Sequence, residues 1–272
     1  MALGENPPGR MAGVSGRVVA VTGGARGIGR ATAAELVRRG ARVAIGDLQG
    51  AAETAAEIGA TGHELDVTDR DSFERFLDAA GELDVLVNNA GIMIVGPLAG
   101  ARPAAASKVI DVNVKGVLNG IQLAVPRMRA GGHIVNVISS SAWIAPPALA
   151  AYSASKHAAR GLTDAVRDEV RSAGIEVTGV YPGVVETDLA VGTHPARGSN
   201  WIRPEEVARA IADAIERPRP EVFVPRRLGA LLRLYQAMPP RGRALLGRAF
   251  GVEDLYGGVD PRTREQYEAS FG

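Results

Sequence analysis

The chain is 272 residues long, 46% hydrophobic, and carries a formal net charge of +1. That is ample apolar material for one large core, and so balanced a charge gives no global field to select nucleic acid or a strongly acidic partner. There is no cysteine, which excludes disulfides, thiolate nucleophiles and cysteine-ligated metals.

Residues 1–13 contain Pro and Gly and no apolar leader, so they read as a flexible arm without a secretory signal. "RVVAVTG" (17–23) is apolar, β-branched and closed by glycine, as a buried strand should be. A helical pattern follows over 28–39 and stops at Gly40. Further strand-like runs are 41–47, 63–67, 84–91, 132–140, 175–183 and 221–225. Helical patterns over 50–58, 69–80, 103–128, 152–173 and 204–216 separate them. In the last, Pro204 and two glutamates mark the start, and Val207, Ile211 and Ile215 share one face. Strands alternating with helical crossovers predict an α/β fold, a parallel sheet covered on both faces. No run of about 18 apolar residues occurs, so a spanning helix is not expected and the default location is cytoplasmic.

The chain changes character after Pro225. Residues 226–272 form a C-terminal extension to a core of 14–225. Its first part is arginine-rich, has Leu228, Leu231, Leu232 and Tyr235 at helical spacing, and is broken by Pro239 and Pro240. Residues 226–250 could lie on an anionic membrane surface, cover a pocket as a lid, or pack on a neighbouring subunit.

Between the first strand and helix stands "TGGARGIG". Gly23, Gly27 and Gly29 permit a sharp turn and close approach of a pyrophosphate to the helix amides. Asp47 ends the second strand, where a carboxylate accepts both ribose hydroxyls of adenosine and repels a 2′-phosphate. This favours NAD over NADP. Arg26 argues the other way, but Leu48 and Gln49 add no second cation beside Asp47.

"TGGARGIG", "NNAG" (88–91), "YSASK" (152–156) and "PG" (182–183) with Thr187 occur in an order that resembles the short-chain dehydrogenase/reductase family, single-domain branch. The resemblance runs from about Val14 to Pro225. It implies a Rossmann-like, doubly wound sheet of strand order 3-2-1-4-5-6-7, and a homo-oligomer, dimer or homotetramer, formed through 103–128 and 152–173. It also implies a cofactor site of Gly23, Ala25, Arg26, Gly27, Ile28 and Gly29, with Asp47 and Leu48. Asp66 and Val67 are assigned to the adenine edge; Asn89, Ala90 and Gly91 to the channel; Pro182, Gly183, Val185 and Thr187 to the nicotinamide end.

Only Lys108, Lys115 and Lys156 among the 31 basic residues are lysine, which singles out the Tyr152–Lys156 pair. At this spacing the two side chains share a helix face. An ammonium and an oxidised nicotinamide both favour phenolate, so Tyr152 can exchange a proton with an alcohol while hydride is transferred. Lys156 would also hold the nicotinamide ribose, a double task for which a compact ammonium suits better than a guanidinium. Ser139 matches the family serine that orients the substrate oxygen, with Ser140 the alternative. Asn113 matches the asparagine that kinks its helix and extends a proton relay to Lys156 through water. The resemblance places the substrate pocket at Ile92, Met93, Ile94 and Val95, then Trp143 and Ile144, then Leu189 and Val191. Such a lining suits an apolar, steroid-, terpenoid- or lipid-like secondary alcohol or ketone.

The expected activity is NAD-dependent alcohol dehydrogenase or carbonyl reductase. An NADPH-dependent ketoreductase and a non-catalytic cofactor-binding scaffold are the alternatives. His63, His133, His157 and His194 lack metal-ligand spacing, so no metal is expected.

Overall fold

Five consecutive apolar or β-branched residues open the fold: β1, Val18–Thr22, is buried along its whole length. A computed structural model describes residues 13–193 and 200–249 together with 251, 259, 264, 267 and 268; the predicted arm 1–13 lies almost wholly outside them, as does His194. After β1 come α1 (Gly27–Arg38), β2 (Arg42–Asp47), α2 (Ala51–Ile58), β3 (Thr61–Glu64), α3 (Arg70–Ala80) and β4 (Val85–Asn88). Then follow α4 (Pro103–Ile110), α5 (Gly116–Ala124), β5 (His133–Val137), α6 (Ala150–Glu169), β6 (Glu176–Pro182), α7 (Pro204–Glu216) and β7 (Glu221–Val224). Two further helices, α8 (Arg227–Ala237) and α9 (Pro240–Ala249), complete the described elements.

The sheet has seven strands in the order β3-β2-β1-β4-β5-β6-β7, as the family resemblance implies, and every pairing is parallel. Alternation along β1 feeds both faces. Val19 and Val21 pack with Leu36 of α1 and with Val207, Ile211 and Ile215 of α7. Ala20 packs on the other face with Phe73, Phe76 and Leu77 of α3 and Leu123 of α5. The apolar face predicted for 204–216 is therefore the face that α7 buries. Arg39, just past α1, clasps α1 to α7 with ion pairs to Glu35 (2.8 Å), Asp213 (2.9 Å) and Glu216 (3.0 Å).

Several boundaries differ from the sequence reading. β3 ends at Glu64 rather than 67, because the Asp66 carboxylate accepts hydrogen bonds from Thr68 N (2.8 Å) and Thr68 Oγ1 (2.7 Å) and turns the chain out of the ladder. The helix expected over 103–128 is divided by a π turn at Asp111–Lys115. It then tightens to a 3₁₀ turn at Val125–Arg127, where Pro126 supplies no amide hydrogen. The α6 helix starts at Ala150 and finishes at Glu169, with a separate 3₁₀ turn at Arg171–Ala173.

The α8 part of the extension packs on an aromatic cluster. Leu232 of α8 is buried against Trp143, Tyr181 and Phe223. Tyr181 and Phe223 stack with centroids 5.1 Å apart, and the Arg160 guanidinium lies 3.4 Å from the Trp143 ring centroid. Among the described residues no helix is long and apolar enough to cross a membrane.

Candidate active site

Thr22, the last residue of β1, fixes the loop that follows. Its hydroxyl accepts from the amides of Asn89 and Ala90, both at 3.0 Å. In return Asn89 Nδ2 donates to the carbonyls of Thr22 (3.0 Å) and Gly23 (2.9 Å). Gly29 is required at its place: a Cβ there would stand 2.0 Å from the Gly23 oxygen. The α1 N-terminus has no side-chain cap and no acid in its first turn. Amides left this way, at the positive end of the helix, suit an anion. Asp47 closes the same corner: its Oδ2 accepts from Ala25 N at 3.0 Å and its Oδ1 from Leu48 N at 2.9 Å.

The first turns of α6 bring Tyr152 and Lys156 to the end of β5. Both are buried, and the Lys156 Nζ lies 5.7 Å from the Tyr152 ring centroid. Lys156 Nζ donates to the Val137 carbonyl at 3.2 Å. Burial pushes the Lys156 ammonium down to about 8. Ser139, two residues past Val137, is buried at the same end, and its hydroxyl accepts from Ser141 N at 3.1 Å. Asn113, inside the π turn, faces inward. Its Oδ1 accepts from Ile92 N (2.9 Å), and its Nδ2 donates to the Ile92 carbonyl (3.0 Å) and Ser155 Oγ (2.9 Å).

These groups meet at one cleft of about 610 Å³. Gly23, Ala25, Arg26, Gly27, Ile28, Asp47, Leu48, Asp66 and Val67 line it, as do Asn89, Ala90 and Gly91. So do Ser139, Ser140, Tyr152, Lys156, Pro182, Gly183, Val185 and Thr187. Gly29 and Asn113 stand behind the wall rather than in it, Gly29 against the glycine loop and Asn113 against Ile92 and Ser155.

The apolar pocket named from the sequence is assembled only in part. Ile92, Met93 and Leu189 line the cleft. Ile94 packs inward with Val109 and Leu149, Trp143 joins the aromatic cluster under α8 with Ile144 packed against it, and Val191 is exposed. The lining also includes residues that the sequence did not single out for the site, among them Thr54, Lys108, Thr193 and Tyr267. The rarity that singled out Lys156 applies equally to Lys108, so a signal existed for one of them. Thr54 had none, since its hydroxyl reaches the Ala25 carbonyl (3.0 Å) only in the folded chain. Among the described residues no group of His, Asp or Glu is placed to hold a metal ion.

An uncapped helix end, a glycine turn and an anchored carboxylate along one elongated cleft fit a dinucleotide. The model of the short chain dehydrogenase family matches residues 17–197. The chain belongs to the short-chain dehydrogenase/reductase family. It is similar to a sorbitol dehydrogenase of Cereibacter sphaeroides, 36% identical over 255 residues, covering 90% of this chain and 89% of that one. It is also similar to the probable oxidoreductase EphD of Mycobacterium tuberculosis, 34% identical over 236 residues and 75% of this chain, but it spans only 40% of that relative's length. A Burkholderia phymatum short chain dehydrogenase/reductase solved with NAD superposes with a TM-score of 0.75 at 27% identity, covering 83% of this chain and 94% of that one. One from Burkholderia cenocepacia solved with NADP also gives 0.75, at 29% identity, covering 88% and 99%.

Proposed function

We propose that residues 14–225 form an NAD-dependent oxidoreductase acting on a secondary alcohol or ketone with an apolar body, and that 226–272 are appended to it. The observation that carries this reading is the buried Lys156 ammonium beside the Tyr152 ring, both in the wall of the cleft. The nicotinamide, when bound, accepts or donates the hydride. The chain's residues handle the proton. To act as the base, Tyr152 must lose its proton more readily than a free phenol, which requires differential stabilisation of the phenolate. A cation in a poorly solvated site is suited to supply a large part of it. Ser139 holds the substrate oxygen in line with Tyr152. Asn113 acts from behind as a positioning residue, fixing Ile92 and Ser155 around the cleft.

The preference for NAD rests on Asp47, whose carboxylate is anchored by two amides at the place where a 2′-phosphate would arrive. Arg26, the cation that would favour NADP, instead turns toward Asp188 at 3.9 Å. A phosphate-bearing cofactor would have to win Arg26 from that partner and still meet the Asp47 charge. Ile92, Met93 and Leu189 support an apolar substrate. Assembly as a dimer or tetramer through α4–α5 and α6 follows from the family, and sedimentation of the purified chain measures it.

A panel of secondary alcohols supplied with NAD, followed by absorbance of the reduced nucleotide, tests the reaction. Turnover that favours lipophilic alcohols supports the reading. Preference for polyols removes the apolar substrate, and no turnover with any alcohol or ketone leaves the scaffold alternative standing.

A further inference from the structure

Far along the chain from the cofactor motifs, Arg264 returns to the cleft and is 3% exposed. Its Nη1 donates to the carbonyls of Leu189 (2.7 Å) and Val191 (3.2 Å), and its Nη2 donates to the carbonyl of Met93 (2.5 Å). Leu189 and Val191 lie in the loop after β6, whereas Met93 follows β4, and β5 runs between those strands. One planar guanidinium therefore ties together two loops on opposite sides of a strand, a geometry its fixed fork of donors suits. Its charge is met by Glu268, with Nε 3.6 Å from the carboxylate. The guanidinium carbon also lies 4.7 Å from the centroid of Tyr267.

Tyr267, Met93 and Leu189 all line the cleft. The surface offered there is aromatic and aliphatic, with the charge pair holding it from behind. Residues 264–268 lie beyond the segment matched by the family model, which stops at 197. This part of the wall is supplied by the C-terminal segment.

We infer that Tyr267 determines substrate specificity and that Arg264 is its positioning residue, the two closing the substrate end of the cleft around the apolar body of a neutral ketone or secondary alcohol. The substrate class rests on the proposed reaction; the wall itself does not.

The test is calorimetric binding of 2-decanone to the full chain saturated with NADH, for wild type, Tyr267→Ala and Tyr267→Phe, with NADH affinity measured separately. Loss of one aromatic contact surface should weaken 2-decanone about tenfold in Tyr267→Ala, while Tyr267→Phe stays within about twofold and NADH affinity is retained in both. For Arg264→Met, hydrogen exchange should quicken at 92–95 and 189–193, with Arg264→Lys recovering part of the protection. Failure of wild type to bind 2-decanone, or equal binding by Tyr267→Ala, overturns the specificity role. Unchanged exchange in Arg264→Met overturns the positioning role. If 2-decanone binding follows the expected pattern while no alcohol yields NADH, the redox reading fails and the wall stands.

Discussion

Asn113 donates from Nδ2 to the Ser155 hydroxyl at 2.9 Å, joining the π turn between α4 and α5 to α6 one residue before Lys156. Ser155 Oγ in turn donates to the Tyr152 carbonyl at 2.6 Å. The backbone that carries both Tyr152 and Lys156 is thereby referenced to Asn113. Asn113→Ala strands the buried Ile92 amide as well, so denaturant unfolding should show a loss of about 2–3 kcal/mol. Because the cleft wall that touches the dinucleotide is left in place, kcat should fall much more than cofactor affinity. Equal loss of both would place Asn113 in the cofactor site instead.

Lys156 sets a pH dependence. Burial lowers its ammonium to about 8, so in the free chain the charge is full well below that value and disappears above it. While the charge is present it favours Tyr152 phenolate, and the rising limb of kcat/KM for alcohol oxidation should lie below the ordinary phenol value of about 10. Lys156→Met removes the cation and should move that limb upward as well as reducing the rate. A limb that stays in place in the variant would dissociate the amine from the phenol.

Asp47 is expected to discriminate between nucleotides by charge. Asp47→Ser removes the carboxylate and the repulsion of a 2′-phosphate, and should shift the ratio of NAD to NADP affinity toward NADP by about tenfold or more. Fluorescence titration with the two reduced nucleotides reads the ratio. Tighter NADP binding by wild type would contradict the assignment from the outset.

The α1–α7 clasp should show in acid unfolding. Hydrogen bonding from Arg38, opposed by burial and reinforced by Arg39, lowers the Glu35 carboxyl from 4.5 to about 2. A carboxyl depressed in the folded state contributes stability in full above its unfolded value and loses it as pH falls through the folded value. Wild type should therefore lose stability between about pH 5 and 2 faster than Glu35→Gln. Parallel pH curves for the two proteins would show that this carboxylate contributes nothing there.

The parts of the fold that sequence makes plain are those with local causes. The apolar run of β1, the repeat of Val207, Ile211 and Ile215, the glycine turn and the helical spacing of Tyr152 and Lys156 each declare themselves within a few residues. Illegible features depend on partners distant in the chain. Trp143 reads as a pocket residue after β5 until Tyr181, Phe223 and the α8 helix are seen to enclose it. The end of β3 depends on whether Asp66 pairs in the ladder or caps its own turn, and Thr68 decides that only in three dimensions. Arg264 meets Met93 across 171 positions, and nothing near either residue announces the contact.

Tyr152→Phe keeps the ring's bulk and removes the one oxygen assigned to the proton transfer. Reduced-nucleotide binding, read by fluorescence, should remain within about twofold, while kcat/KM with the best secondary alcohol falls by about 10²–10⁴-fold, the range for removal of a general acid–base. Turnover equal to wild type in that variant would contradict the account at its centre.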